Sequence, residues 1–433
     1  MTGVQGASEP LLDMIAFVSG KDMLPRADFD TMPPMKITKV KATAVNVPFK
    51  AGIRWSWGVR FETTRLIVQI ETDEGITGIG ETMGRVGAAA VEYEAKKIIG
   101  ENPFDIERIL GFFRPRPYFF GYAGYGLIAG IEMACWDIIG KALNKPVWAL
   151  LGGRFREKID ISGYIFTRAH NPVTGEGGET TPEELLAYTK ELVKKEGFKC
   201  IKLKVGASEP DVDIAAIAMF REAFGPKMQI RIDPNGTWSP QTALYICKKL
   251  EPYNLQYIED PTWGIEGMAR LRRDIDIPLA TNMCVVDFDQ VPVAFRMNAV
   301  DVILGDLHKW GGFTYSKKLA NVCDTLLWGM CIHSGAELGI SETAKLHLAT
   351  CTHNLTYAID THYPHLADDI LDGGMLKFEN GTMTAPDKPG LGVSLDMDRF
   401  ERYAEANRKA GLREGYEKDP GRSSDWCPKK FQW

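Results

Sequence analysis

Between residues 159 and 360 the chain repeats one pattern, a short apolar run that ends in polar residues. The runs cover residues 159–166, 200–204, 229–233, 256–259, 278–282, 301–306, 327–333 and 356–360. Segments of helical character, such as 182–195, 211–224 and 240–250, separate most of them. Strand and helix in alternation build parallel strands joined by crossover helices. Eight such units predict closure into a (β/α)8 barrel rather than an open sheet. Pro182 and Pro240 each follow a Thr or Ser, so each falls at a first helical position, where a helix tolerates proline.

The first third reads differently. Residues 64–72 alternate with period two, Asp73-Glu74-Gly75 is a turn signal, and residues 76–81 continue as a second strand, which predicts a hairpin. A helical pattern over 126–151 stops at Gly152-Gly153. A small α+β unit with a three-stranded sheet follows from these signals. Gly78, Gly80 and Gly84 are wrongly spaced for a dinucleotide-binding loop. The expected organisation is an N-terminal extension over 1–34, an α+β capping domain over 35–153, a barrel over 154–371 and a C-terminal segment over 372–433 that returns to the cap.

Composition excludes several function classes. A chain of 433 residues, 45% hydrophobic, buries one substantial core with a satellite. The net charge of -6 is spread without long runs, which leaves no electrostatic footprint for nucleic acid. No apolar stretch is long enough for a membrane helix. The N-terminal residues lack the basic region and cleavage site of a secretory signal, so a cytoplasmic location is expected. The eight cysteines are scattered and read as buried thiols, not as a disulfide framework or zinc site.

A barrel draws its chemistry from single residues at the C-terminal ends of its strands. Lys202 and Lys204 lie two apart and therefore share one side of a strand. Asp233, Glu259 and Asn282 end the next three runs. Two carboxylates and an amide carbonyl on consecutive strands can converge on magnesium, leaving positions for water and substrate oxygens. Taken singly, each could equally be a helix cap or a loop hydrogen-bonder. Further round, Asp306 can accept from one ring nitrogen of His333, fixing its tautomer and raising the basicity of the other nitrogen. His308 lies beyond its strand end and is a candidate for loop shaping or substrate contact. His347 and His353 read as structural. Asp360 ends the eighth run, placed to meet substrate or to steer a lysine. Tyr164 and Asn235 are further substrate-contact candidates.

These strand ends, with Ala134-Cys135-Trp136-Asp137, Leu150-Leu151-Gly152-Gly153 and Pro389-Gly390-Leu391-Gly392, resemble the enolase superfamily from Met35 onward. The architecture is similar to that of the mandelate racemase and muconate lactonizing enzymes, an α+β cap over a modified (β/α)8 barrel. Lys202-x-Lys204, Asp233 with Pro234-Asn235-Gly236, Glu259 with Asp260-Pro261, Thr281-Asn282-Met283, the Asp306/His333 pair and Ala358-Ile359-Asp360-Thr361-His362 most resemble the glucarate dehydratase subgroup. Ser334-Gly335-Ala336-Glu337 departs from that subgroup's asparagine-rich stretch, and Arg54-Trp55-Ser56-Trp57-Gly58-Val59-Arg60 departs from its cap loop.

The resemblance implies a magnesium-dependent sugar acid dehydratase. Asp233, Glu259 and Asn282 would hold Mg2+, and Lys202 would add positive charge beside the substrate carboxylate. Lys204 or His333 would take the alpha proton, and His333 would protonate the departing beta-hydroxyl to give a 2-keto-3-deoxy acid. Arg54 or Arg60 could clamp the distal carboxylate of D-glucarate or a related diacid. The expected partners are a small-molecule sugar acid and further copies of this chain in a homo-oligomer, with no nucleic acid or membrane. Two alternatives stay open, a racemase or epimerase on the same scaffold and a non-catalytic binding protein derived from it.

Overall fold

The first long strand, β1 (Ile37–Trp55), runs antiparallel to β2 (Gly58–Thr72), with Val40 opposite Ile70 and Ala44 opposite Leu66. The register shifts between Pro48 and Ile53, where a proline can interrupt a ladder at little cost because a bulge already breaks it. Beyond the turn at Gly75, whose φ of 75° suits glycine, β2 continues into β3 (Thr77–Met83). These coordinates are a computed structural model that describes residues 35–114, 121–413, 427 and 429–433. The expected extension over 1–34 lies outside the described residues, as do 414–426 and 428 of the C-terminal segment.

The sheet has four strands, not the expected three. Its order is β3-β2-β1-β5, and β5 (Thr167–Ala169) pairs antiparallel with Gly52, Ile53 and Arg54 of β1. Three residues are too short a run for period-two reading to detect. Helices α1 (Ala88–Ala95), α2 (Ile106–Phe113) and α3 (Tyr122–Ala142) complete this layer. Helix α3 lies directly on β3, and the glycine spacing there has a packing cause. A Cβ at Gly78 would overlap the carbonyl oxygen of Ala134, and one at Gly80 that of Gly130.

After the short helix α4 (Val147–Leu150) the barrel begins with β4 (Ile159–Ile165). Seven parallel strands follow: β6 (Cys200–Lys204), β7 (Gln229–Asp233), β8 (Tyr257–Glu259), β9 (Leu279–Thr281), β10 (Val302–Gly305), β11 (Gly329–Ile332) and β12 (Ile359–Thr361). Their order is β11-β10-β9-β8-β7-β6-β4-β12, with Ile359 opposite Ile161. Between β11 and β12 the parallel bridge Met330–Leu355 stands where a longer ladder would complete the ring. The crossovers are α5 (Pro182–Glu196), α6 (Pro210–Phe224), α7 (Pro240–Leu250), α8 (Gly264–Arg272), α9 (Val291–Arg296), α10 (Leu307–Trp310) with α11 (Phe313–Thr325), and α12 (Gly339–Thr350). Helix α5 opens on a capping box between Thr181 and Glu184 with Pro182 inside it, and closes on Gly197 at φ 79°. Ser239 caps α7, as its sequence predicts.

The pleat divides the strand residues between two environments. Ile201, Leu203, Ile230 and Ile232 face outward into the core shared with the surrounding helices. Tyr257, Ala280, Val302, Leu304 and Cys331 form a smaller cluster apart from it. Residues of the same parity at the upper ends are the charged and polar ones. After β12 the chain makes β13 (Thr382–Met383), antiparallel to the foot of β4, and then α13 (Met397–Ala410). That last helix lies against β1, where Asn407 donates to Asn46 at 2.9 Å and Asn46 to the Gly411 carbonyl at 3.0 Å. Seven of the eight cysteines are buried free thiols, and Cys427 is exposed. Among the described residues no helix is long and apolar enough to cross a membrane.

Candidate active site

The two lysines at the end of β6 have separate surroundings. Lys202 Nζ donates to Tyr164 and to Asp360 Oδ2, both at 2.7 Å, contacts Glu259 and stands 4.0 Å from Asp233. Burial would push its ammonium down, but Asp360, Glu259 and Asp233 outweigh that and hold it protonated. Lys204 Nζ donates to Asp233 Oδ2 and, at 2.9 Å, to Asn235 Oδ1. Asn235 sits at φ 54° in a turn closed by its own N–H on Asp233 Oδ1, a conformation that asparagine tolerates better than most residues.

The carboxylates of Asp233 and Glu259 are fully buried. Burial raises the Glu259 carboxyl well above its ordinary value, and the like charge of Asp233 adds to the effect. Burial acts on Asp233 as well, but Lys204 and Lys202 overcome it and lower that group. Asn282 approaches Glu259 through its amide nitrogen, Nδ2 donating to Oε1 at 2.5 Å, while its Oδ1 accepts from Lys309 at 3.0 Å. Asp260 braces this corner, accepting from Thr281 Oγ1 at 2.5 Å and from the Asn282 N–H at 2.9 Å.

On β10 and β11, Asp306 Oδ2 lies 2.9 Å from His333 Nδ1, and Asp306 Oδ1 lies 3.1 Å from His308 Nδ1. Burial opposes ionisation of Asp306, yet the donors of His308 and His333 hold it well below the carboxylate range. His333 is brought down to about 4 by burial and by the Lys309 ammonium, against the pull of Asp306. It is therefore a free base at neutral pH. Asp306, His308 and Glu337 each bring a ligand atom within 4.8 Å of the others. Those atoms already have protein partners, since Ser334 and Gly335 donate to Glu337 and Arg65 approaches the His308 ring.

A cavity of about 560 Å³ opens above these groups. Lys204, Asn235, Asn282, Asp306, His308 and His333 line its barrel side, and Arg60 reaches it from the cap. Tyr164, Asp360 and Arg54, read from the sequence as substrate contacts, are not part of its wall. Tyr164 and Asp360 are fully buried and anchor Lys202, which for Asp360 is the lysine-steering place that the sequence offered beside substrate contact. Arg54 is paired with Thr167 in the cap sheet, and period two gives it the same parity as Arg60 only if the intervening turn is ignored. Lys309, His362, Arg65 and Arg85 also line the cavity and were missed. His362 carried a signal, because it stands two residues beyond Asp360 on the same strand line. Lys309 adjoins His308, so its place could have been read with it. Arg65 and Arg85 carried none, since the docking of cap on barrel is absent from either element's periodicity. Besides Arg65, whose charge Glu81 meets at 2.7 Å, the wall carries the basic side chains of Arg60, Arg85, Lys204 and Lys309 against Asp287 and Asp306, which favours an anionic occupant.

Residues 37–152 match the family described as mandelate racemase / muconate lactonizing enzyme, N-terminal domain, and residues 184–399 that described as enolase C-terminal domain-like. The chain is 37% identical to the "Probable glucarate dehydratase" of Streptomyces coelicolor, over 78% of this chain and 84% of that protein. It is 28% identical to the N-succinyl-L-Arg/Lys racemase of Bacillus cereus, over 85% of this chain and 97% of the racemase. A Pseudomonas fluorescens enolase structure with bound magnesium, potassium and tartrate superposes with a TM-score of 0.83 at 32% identity, covering 88% of this chain and 95% of that one. With its capped, nearly closed barrel and both halves matched in order, the chain belongs to the enolase superfamily, in the branch of the mandelate racemase and muconate lactonizing enzymes.

Proposed function

We propose that this protein is a magnesium-dependent dehydratase of a sugar acid. The observation that carries the reading is a single cavity walled by Lys204 on one side and the Asp306–His333 pair on the other. In the strand order, β7, β8 and β9 with Asp233, Glu259 and Asn282 at their ends lie between the lysine strand β6 and the imidazole strands β10 and β11.

Asp233, Glu259 and Asn282 fit a magnesium ion. Their donors are hard oxygens, and two like-charged carboxylates sealed from solvent are relieved by a cation between them. Asn282 offers its oxygen after half a turn of the amide, exchanging its contacts with Glu259 and Lys309. Magnesium, when bound there, supplies the positive charge that stabilises a carboxylate as the neighbouring carbon loses its proton.

The chain's own groups account for the remainder. Lys202, kept cationic by Asp360, adds fixed charge beneath the cavity. His333, with one nitrogen held by Asp306, has the other available to take the alpha proton from one face. The protonated ring can then return that proton to the beta-hydroxyl as water departs, leaving an enol that becomes a 2-keto-3-deoxy acid. Lys204 stands at the other side and serves the opposite configuration at the alpha carbon. Arg60, buried against Phe49 and Trp55, is placed to hold a distal carboxylate, which favours an aldarate over an aldonate.

Purified protein supplied with magnesium and a panel of aldarates and aldonates should release 2-keto acid from at least one member. A second reading is a racemase or epimerase, favoured by the same pair of opposed proton-transfer groups. Inversion or deuterium incorporation at the alpha carbon, with no keto acid from any substrate, would establish that alternative.

A further inference from the structure

Arg65, on the cap strand β2, is 1% exposed and donates through Nε to the buried Glu81 at 2.7 Å. Its Nη2 lies 3.1 Å from Nε2 and 3.4 Å from Nδ1 of His308. A guanidinium has donors only and keeps its proton. Near-equal distances to the two ring nitrogens set Nη2 over the face of the imidazole, so the guanidinium packs on the ring, while the Asp306 carboxylate, with Oδ1 at 3.1 Å from Nδ1, holds the ring N–H on that nitrogen. The His308 backbone N–H fixes the same oxygen at 2.8 Å. Asp306 is left with Oδ2 for His333, so the proton of that ring resides on Nδ1 and Nε2 remains a base.

Glu81 anchors the far end of this chain in the barrel. Its Oε1 accepts the Leu338 N–H and its Oε2 the Ser341 N–H, both at 2.9 Å, at the start of α12. Ser341 Oγ in turn meets His308 Nε2 at 2.9 Å. Two cap residues thus join the helix after β11 to the loop after β10, the two places that frame His333.

We propose that Arg65 is a positioning residue for proton transfer at His333. It holds the plane of the His308 ring, His308 orients Asp306, and Asp306 presents His333 with its Nε2 lone pair free for substrate. The inference rests on the reading of His333 and Lys204 as two proton-transfer groups serving opposite faces.

That geometry gives a test that a general structural role would not satisfy. Two sugar acids differing only in configuration at the alpha carbon are incubated in deuterium oxide with magnesium and the intact protein. In Arg65→Met, exchange of the epimer served by His333 should fall about 10- to 100-fold, while exchange of the epimer served by Lys204 stays within about twofold. His308→Asn removes the ring between Arg65 and Asp306 without leaving an unpaired buried ion, so it tests the link if the first variant does not fold. Equal loss for both epimers, or loss for neither, overturns the proposal. If the wild type exchanges neither epimer, the proposed function fails, and nitrogen-15 spectra of the histidine rings in metal-free protein still decide this inference. A shift of His333 from the Nδ1–H form in the variants supports it, and an unchanged tautomer overturns it.

Discussion

At the scale of single residues, the distinctive feature is how completely the charges beneath the cavity are sealed from solvent. Lys202, Asp233, Glu259 and Asp360 are all fully buried, so solvent screens none of their charges from the others. Removing one charge should therefore be felt by its neighbours. Glu259→Gln should weaken magnesium binding by at least about tenfold, or 1.4 kcal/mol, measured by calorimetric titration, and unaltered affinity would remove Glu259 from the ligand set. His333→Asn should slow alpha-proton exchange on its own face by about 100-fold or more, read by mass spectrometry in deuterium oxide. The strand-end residues were legible because period two assigns each a side of its strand and the barrel rule assigns the end at which the site forms. Arg65, Arg85 and Lys309 were not, because they lie on the cap strand β2, just after β3 and on the short helix α10, and the period of each element is silent on how it docks over the barrel mouth. Tyr164 and Asp360 were legible as inward-pointing, but the sequence says nothing of depth, and both sit below the cavity floor.

Among the elements, α3 on β3 shows how a sequence sets a distance. The glycines at 78 and 80 let the helix backbone come against the strand, and the same pair superficially suggests a phosphate loop. Gly80→Ala should destabilise the protein by roughly 1–3 kcal/mol because backbone must move to admit the methyl group. Gly111→Ala in α2 meets nothing within 4 Å and should stabilise by roughly 0.5–1 kcal/mol. Thermal unfolding of the two variants checks the contrast, and equal shifts would show that close approach is not what Gly80 provides. The barrel's strands and most of its crossover helices could be read from the sequence because caps, prolines and apolar runs agree at each boundary. The fourth cap strand could not, since β5 is defined by its partner β1 rather than by its own three residues.

For the molecule as a whole, distant segments are tied by groups that function only in one protonation state. His347 on α12 accepts the Trp148 N–H at Nδ1, 3.2 Å away, and its Nε2 lies 3.0 Å from the Leu391 carbonyl. A proton on Nδ1 would face another N–H, and burial brings this imidazole down to about 4. A folded value below the unfolded 6.5 means the unfolded chain binds the proton first. The stability that His347 contributes is thus complete above pH 6.5 and is lost as pH falls through about 4. Urea midpoints should decline less over that window in His347→Gln than in the wild type, and parallel declines would exclude the assignment. The cap's cations belong to this scale too. Arg60→Met should raise KM for a diacid about 10-fold or more relative to the matching monoacid, and equal changes would place the distal group elsewhere.

The short strand β5 follows β4 after the single residue Phe166, yet it is hydrogen-bonded into the cap sheet at Gly52, Ile53 and Arg54. One continuous stretch of chain is therefore stitched into both layers. The cap cannot swing open like a door on a hinge without first unzipping that ladder. Admission of a substrate must instead fall to small local movements at the rim, above all the turn at Ser56 and Trp57. There one indole N–H on the Asn235 carbonyl, at 3.1 Å, latches the cap directly to the loop carrying Asn235.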